Sequence, residues 1–417
     1  MENRYDKYKD SGIAWIGEIP EHWSLVSIGK LFNVYAGGDA KPDYYSDTKD
    51  SEHPFPVYTN TRSEHEIYAY TSKAIFPANT ITVTGRGDVG HAIYRKTPYD
   101  AIIRLLSLTP KNNYDCRFYT YFIDIVIPFM DGKSAVAQLS SLQLKPQLVC
   151  LPSNEEQQSI ATYLDQKCSE IDKLITLQEE MITKLQSYKQ SVITESVTKG
   201  LDKNVPLKDS GIEWIGEIPE HWNKNKIIRL FSIIGSGTTP KSSKEDNYIG
   251  SVNWIQSGDI NGGYIENCKN SISDTALKEY PTLKIYKAPF IIVAMYGASV
   301  GNISISNIDG CVNQACCVMN ETKQNFKYLF YAMNSVKKYL IYKAEGGGQP
   351  NISQDKIKNT WLPIPPLSEQ QSIADYLDQK CSEIDELISI KQQKIEKLKD
   401  YKKSLIFECV TGKRKVS

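Results

Sequence analysis

The chain has 417 residues, 41% of them hydrophobic, and its 49 basic side chains balance 49 acidic ones. That length implies two or three domains, each with enough apolar residues for a core. No apolar run is long enough to span a bilayer and no signal peptide is visible, so a cytoplasmic protein without a membrane partner is expected; nine cysteines with no secreted-type framework fit reduced thiols.

The first feature in chain order is KDSGIAWIGEIPEHW at residues 9–23, which returns as KDSGIEWIGEIPEHW at residues 208–222 with only Ala14 and Glu213 differing. Repetition at this level means that two supersecondary units share one design. The stretch that follows, 24–150, carries 13 lysines and arginines against 12 acids. Within it, ITVT at 81–84 is a strand and the apolar segment 118–130 is helical. GRGDVG at 85–90 fits the spacing of a dinucleotide fingerprint, which must open a helix so that the helix N-terminus meets the pyrophosphate. HAIYRKTP follows instead, strand-like and soon broken by Pro98. The sequence therefore predicts a glycine turn that presents Arg86 at a loop tip.

From about 155 to 198 apolar residues recur every three to four positions: Ile160, Leu164, Ile171, Leu174, Met181, Leu185, Tyr188 and Val192. The second copy, beginning EQQSIADYLDQKCSEIDELI at Glu369, has Ile373, Leu377, Ile384, Leu387, Ile395, Leu398, Tyr401 and Leu405. Alternating steps of four and three are the coiled-coil pattern. Capping boxes are expected at Ser153 with Glu156 and at Ser368 with Gln371, and helix ends at Gly200 and Gly412. Two such seams in one chain are best buried against each other, and tandem units related by a pseudo-two-fold would place the helices antiparallel. Cys168 and Cys381 take matching positions on the apolar face.

The second variable stretch, 223–361, is more basic, with 16 lysines and arginines against 10 acids. Its strand FIIVAM at 290–295 leads into GASVG at 297–301, the counterpart of the Arg86 turn, and an amphipathic helix covers 326–341. GSGTTPKSSKED at 235–246 offers hydroxyls and lysines, and GGGQPNIS at 346–353 presents Gln349 and Asn351 after three glycines. Hydroxyl, amide and guanidinium groups can address base edges, and glycines allow close approach. Cys311, Cys316 and Cys317 lack paired zinc spacing and a nearby histidine. No P-loop, HExxH, GxSxG or adenine-methylation motif occurs, so no catalytic role is expected.

Taken in order over its whole length, the chain resembles the specificity subunit of Type I restriction–modification systems. The residues that carry the resemblance are the duplicated EQQSIA helix, its entries CLPSNEEQQ and PIPPLSEQQ, and the loops GSGTTPKS, WIQSGDI, GASVGN and GGGQPNIS. The first variable region departs from the family pattern, with AGGDAKPDYYSD where a GxTP-like loop is common. The resemblance implies an α/β (α+β) chain of two tandem target-recognition domains, 1–152 and 201–366, each followed by a conserved spacer helix, 153–200 and 367–417, the helices pairing as an antiparallel coiled coil. It implies a non-catalytic reader of a bipartite, asymmetric site in double-stranded DNA, whose half-sites are centred about one helical turn apart. Two methyltransferase subunits would dock on it and, in the nuclease, two restriction/translocase subunits. S-adenosylmethionine, ATP and magnesium would belong to those partners, with no cofactor or metal here. Candidate DNA-binding residues are Lys41, Arg62, Arg86 and Lys133 in the first region, and Thr238, Thr239, Lys241, Lys244, Ser257, Tyr296, Ser299, Gln349 and Asn351 in the second. Scaffold and partner candidates are Trp15, Trp23, Trp214, Trp222, Leu164, Leu185, Leu377 and Leu398. The competing class is a coiled-coil scaffold or adaptor without a DNA role.

Overall fold

The computed structural model describes residues 4–63, 65–129, 138–342 and 351–416. The repeated fifteen-residue block folds the same way twice: Tyr8–Asp10 pairs antiparallel with Glu18–Pro20, and Leu207–Asp209 with Glu217–Pro219. Gly17 and Gly216 sit at φ 69° and 66°, a conformation that costs a residue with a Cβ. Each block ends in a tryptophan with 0% exposure, Trp23 or Trp222. The Trp23 indole donates to Glu156 Oε1 at 3.1 Å, and the Trp222 indole to Glu369 Oε2 at 2.9 Å. Those glutamates open the two long helices, so block and helix recur together because each buries the other's polar and apolar ends.

The chain forms two compact units, residues 1–179 with 392–417 and residues 180–391. This spatial division differs from the sequential one, since each unit takes part of both long helices. In the first unit, strands β1 (Phe32–Ala36), β2 (Phe55–Tyr58), β3 (Thr80–Val83), β4 (Ala92–Arg95), β5 (Asp100–Ala101) and β6 (Leu106–Pro110) make two sheets. One has the antiparallel order β1-β6-β3-β4. In the other, β5 lies parallel to β2, which continues through Ala69–Thr71 to Tyr45–Ser46. Helix α1 (Cys116–Val126) covers the first sheet with Phe118, Phe122 and Ile123, all 0% exposed.

Helix α2 (Asn154–Lys199) runs 46 residues, about 69 Å at 1.5 Å per residue. Its first half places Ile160, Leu164, Cys168 and Ile171 in the same core as α1 and Trp23.

The second unit repeats the plan with β7 (Ile233–Gly235), β8 (Val252–Ile255), β9 (Phe290–Ala294), β10 (Ile303–Ser306), β11 (Cys311–Val312) and β12 (Cys316–Asn320). The sheet order β7-β12-β9-β10 is antiparallel, with Tyr264–Ile265 added parallel to β10, and β8 pairs parallel with β11. The helix expected at 326–341 is broken at Val336 into α3 (Phe326–Ser335) and a short Lys337–Tyr342 segment. Helix α4 (Leu367–Val410) supplies Ile373, Leu377 and Cys381 to this core, and Leu405, Ile406 and Cys409 to the other.

Within each unit the segments of α2 and α4 run antiparallel. Asp172 takes an ion pair from Lys402 at 2.7 Å in the first, and Asp385 takes one from Lys189 at 2.7 Å in the second; both pairs repeat at the helix offset of 213.

The expected seam is corrected in its middle. Leu174, Met181, Tyr188, Leu387 and Tyr401 are 44–57% exposed, whereas Ile175 and the polar Gln178 turn inward. Leu164 and Leu377 are fully buried, but Leu185 and Leu398 are only half-buried. Of the expected caps, Ser153 and Glu156 form a reciprocal box, at 3.1 and 3.2 Å. The Ser368–Gln371 box does not form, because the helix already begins at Leu367 and Gln370 N donates to Pro366 O at 2.9 Å. Gly200 and Gly412 both end their helices at φ 75°.

Candidate nucleic-acid interface

In the first unit the 85–90 turn leaves β3 and returns as strand β4, not a helix, so the glycine pattern serves a reversal. Thr84 N donates to His91 O at 3.0 Å across the turn, and Gly87 and Gly90 take positive φ. Arg86 is exposed at the tip and bridges to Gln138. Asn60 sews this turn to a neighbour: its Oδ1 accepts from Gly85 N at 2.7 Å and Arg86 N at 3.3 Å, while its Nδ2 donates to Ile103 O at 2.7 Å.

Ile103 and Arg104 both sit in the left-handed region, at φ 54° and 59°. That costs about 1–2 kcal/mol for each residue with a Cβ. The carbonyls of Gly38 and Gly37 receive their N–H groups at 2.8 and 3.2 Å. A Cβ on Gly37 would lie 2.6 Å from Ala101 O, and one on Gly237 would run into Val312 O, so each loop needs glycine where it passes the parallel-paired strand.

The basic candidates here are not equivalent. Arg62 is engaged by Asp88, with Nη2 at 2.6 Å from Oδ1. Lys41 is exposed in the loop after Gly38 and close enough to Asp100 to favour its charged form, although burial raises that carboxyl. Lys133 lies outside the described residues. His91 bridges Asp124 Oδ1 at 2.6 Å and the Arg62 carbonyl at 3.1 Å, and the hydrogen bond to Asp124 raises its pKa above the ordinary 6.5.

The second unit brings its loops to the same end of its sheet. Tyr296, 39% exposed, bridges to Asn351 as Arg86 does to Gln138. Ser257 opens the 257–259 turn, which packs on the Gly297–Ser299 turn, and Asn302 N closes on Ser299 O at 2.9 Å. Asn302 takes the place of His91: Ala294 N donates to its carbonyl at 2.9 Å, and its amide reaches Ile260 O at 3.0 Å. Thr239 donates to Gln314 Oε1 at 2.6 Å, and Thr238 lies beside it, half-buried. Lys241 is exposed with its backbone on Tyr280, but Lys244 is held by Glu279 at 2.8 Å, which raises its pKa. Gln349 lies outside the described residues. Asn60, Ile103, Arg104 and Gln314 were missed from the sequence, because nothing in an isoleucine–arginine pair announces a left-handed turn.

Each unit fastens its variable region to the helices with matching groups. Gln157 Oε1 accepts from Asp115 N at 3.1 Å and Gln370 Oε1 from Asn325 N at 2.9 Å, and both residues cap the helix that follows. Asp165 receives Arg117 and the Tyr121 hydroxyl, each at 2.9 Å; Asp378 receives Lys327 at 2.5 Å and Tyr331 at 2.7 Å. Burial alone would raise the Glu156 carboxyl, but hydrogen bonds from His22, Trp23 and the Ser153 backbone leave it below its ordinary value. Of the scaffold tryptophans, Trp23 and Trp222 are core residues, Trp214 is half-buried and Trp15 is 49% exposed.

All nine cysteines are free, and burial pushes the Cys311 thiol up to about 11. Among the described residues no His, Cys, Asp and Glu cluster could hold a metal ion, and no helix is long and apolar enough to cross a membrane.

Residues 20–186 and 219–400 each match the Type I restriction modification DNA specificity domain. The MjaIX specificity subunit of Methanocaldococcus jannaschii is 24% identical over 434 residues, covering 96% of this chain and 95% of that one. The EcoBI specificity subunit of Escherichia coli is 22% identical, over 97% and 88%. The MjaX specificity subunit is 29% identical, but the match spans 68% of this chain and 64% of that relative. A solved structure described as the basis of complex assembly and conformational transition of the type I R-M system superposes with a TM-score of 0.71 at 14% identity, covering 94% of this chain and 98% of that one, which establishes the shared fold.

Proposed function

The chain belongs to the family of Type I restriction modification DNA specificity domains, whose named members are non-catalytic specificity subunits, and on that premise we propose that it reads a bipartite site in double-stranded DNA. Each variable region takes one half-site. The observation that carries the reading is that in both units the loop leaving the equivalent inner strand, β3 or β9, is bridged in the same way, Arg86 with Gln138 and Tyr296 with Asn351, while the side chains differ. A shared frame with exchanged tips lets two half-sites differ without altering what holds them. Lys41 and Lys241 would meet phosphates, which set affinity and its salt dependence. Arg86, Tyr296 and Asn351 would face base edges.

The duplicated helices would dock two methyltransferase subunits, because equal surfaces suit equal partners. Exposed Leu174, Leu177 and Tyr401 in one unit match Leu387, Ile390 and Tyr188 in the other, each displaced by 213. The chain itself uses no cofactor; S-adenosylmethionine, ATP and magnesium serve the partners, which include two restriction subunits in the nuclease, and the assembly works on DNA in the cytoplasm. A methyltransferase in this setting flips its target base out of the stack.

The test is to exchange residues 24–150 for the corresponding region of a relative and to map methylated motifs in cells that carry the methyltransferase. A split, non-palindromic motif in which only one half changes is expected. A continuous or palindromic motif, or a change in both halves, would overturn the reading; an adaptor without a DNA role would show no salt-dependent duplex binding.

A further inference from the structure

We infer that Arg104 and Gln314 are base-reading residues, Arg104 for a guanine in one half-site and Gln314 for an adenine in the other; the inference rests on the DNA-reading function proposed above. Both lie in one topological place, the tight turn that leaves the parallel-paired strand (β5 or β11) and enters β6 or β12. In the first unit Ile102 N donates to Tyr58 O at 3.0 Å, and Leu105 N closes the turn on Ile102 O at 3.1 Å. In the second, Asn313 N donates to Ile255 O at 3.2 Å, and Cys316 N closes on Asn313 O at 3.3 Å. The two tip residues are Ile103 and Arg104 in one, Gln314 and Ala315 in the other. Each tip therefore offers one long polar side chain beside one apolar one.

The first tip is held against its own preference. Successive positive φ values make a type I′ turn, which asparagine and glycine ordinarily occupy. Asn60 and the Gly37 and Gly38 carbonyls fix it, and Gly85 leaves room for the Arg104 carbonyl, which would lie 2.7 Å from a Cβ there. No described residue of the unit forms a hydrogen bond or ion pair with the side chain so placed. Among the described residues the exposed Arg104 guanidinium has no ion pair, whereas Arg62 is taken by Asp88 and Arg117 by Asp115 and Asp165. Backbone strain kept at an exposed tip is a mark of function.

The second tip reaches the same end by another route. Gln314 is exposed, and Thr239 donates to its Oε1, which orients the amide, while no described residue accepts from its Nε2. Thr239 is thus a positioning residue rather than a direct contact. A guanidinium carried on a fixed turn can present two donors to guanine O6 and N7, and an oriented amide presents an acceptor and a donor to adenine N6 and N7. Phosphate contact needs neither a fixed tip nor an oriented amide, since flexible lysines supply it.

The experiment uses the full chain in complex with its methyltransferase subunits, on duplex libraries randomised one position at a time. Arg104→Lys, which keeps the charge and loses the fork, should reduce discrimination at a single guanine of one half-site by about 5- to 100-fold, with the other half unchanged. Gln314→Ala should do the same at a single adenine of the other half, and Gln314→Glu should shift that position toward cytosine, whose N4 amine a carboxylate accepts from. Thr239→Val should give a smaller loss at the same adenine, which Thr239→Ser restores. Thermal melting of each variant separates these effects from misfolding, and the cytosine shift cannot arise from misfolding. A uniform loss over all sequences, or unchanged preferences beside a specific wild-type complex, would overturn this assignment while leaving the DNA-reading function in place. A wild-type complex with no sequence preference would overturn both.

Discussion

The two variable regions share a frame and almost nothing at its tips. In the first, 13 basic residues meet 12 acidic ones, its Arg62 is neutralised by Asp88, and a histidine clasps the loop. In the second, 16 basic residues meet 10 acidic ones, and the equivalent clasp is the neutral amide of Asn302. Toward the helices the two are nearly superimposable in chemistry: Gln157 and Gln370, Asp165 and Asp378, Glu156 and Glu369 each hold the same backbone or side-chain groups. The contrast shows where change is permitted. A side chain that joins the region to its helix is fixed by burial and hydrogen bonding, whereas a loop tip that faces solvent is constrained only by the backbone beneath it.

The largest test of that contrast lies in the duplicated block. Trp23→Ala and Trp222→Ala should each cost about 3–5 kcal/mol in chemical denaturation, because each empties a fully buried site and removes one of the donors to a glutamate. Trp15→Ala, at a half-exposed position, should stay within about 0.5 kcal/mol. Unequal losses for Trp23 and Trp222 would break the equivalence of the two units.

The helices come next. Leu185→Asp and Leu398→Asp should each cost about 1–3 kcal/mol, less than a fully buried seam position would, since both residues are half-buried. Tyr188→Asp and Tyr401→Asp should leave stability nearly unchanged yet weaken methyltransferase assembly, read by analytical ultracentrifugation.

Removing a fastening charge should matter less. Asp165→Asn and Asp378→Asn should each lower stability by about 1 kcal/mol, and by similar amounts, since both partners are partly exposed. On DNA, Lys241→Ala should reduce the salt slope of binding by about one unit, and Lys244→Ala by less, because Glu279 already holds that lysine.

The smallest effect is one of pH and distinguishes the units most sharply. The His91 pKa is raised in the folded state, chiefly by Asp124, so its contribution is fully present below 6.5 and is lost as pH rises through the higher folded value. Hydrogen exchange at residues 60–63 should therefore quicken as pH rises above 6.5, beyond its intrinsic pH dependence, while residues 259–262 beside Asn302 show only the intrinsic trend. His91→Asn should remove the difference.

Much of this was legible in the residues. Periodicity and flanking glycines located both long helices, and Ser153 with Glu156 announced the first cap. Pro98 after a strand-like run told a reversal from a nucleotide loop. The Ser368 box failed because a motif of four residues is common, and Pro366 occupies the place that matches Ser153. The seam was half right for a physical reason: spacing of three and four identifies apolar stripes but not their partners. Tyr188 and Tyr401 lie on a stripe that is exposed, and Gln178 turns inward.

The sequence by itself determined that there are two equivalent units, that two helices bind them, and that the segments between are free to differ, because duplication and periodicity are properties of the chain. Only the tertiary structure decided that each unit is completed by the far end of the other's helix, and that Ile103 and Arg104, against every local preference, stand at the tip beside Arg86. Local rules act over a few residues, but a left-handed isoleucine is tolerated only where Asn60, Gly37 and Gly38, distant along the chain, converge to hold it.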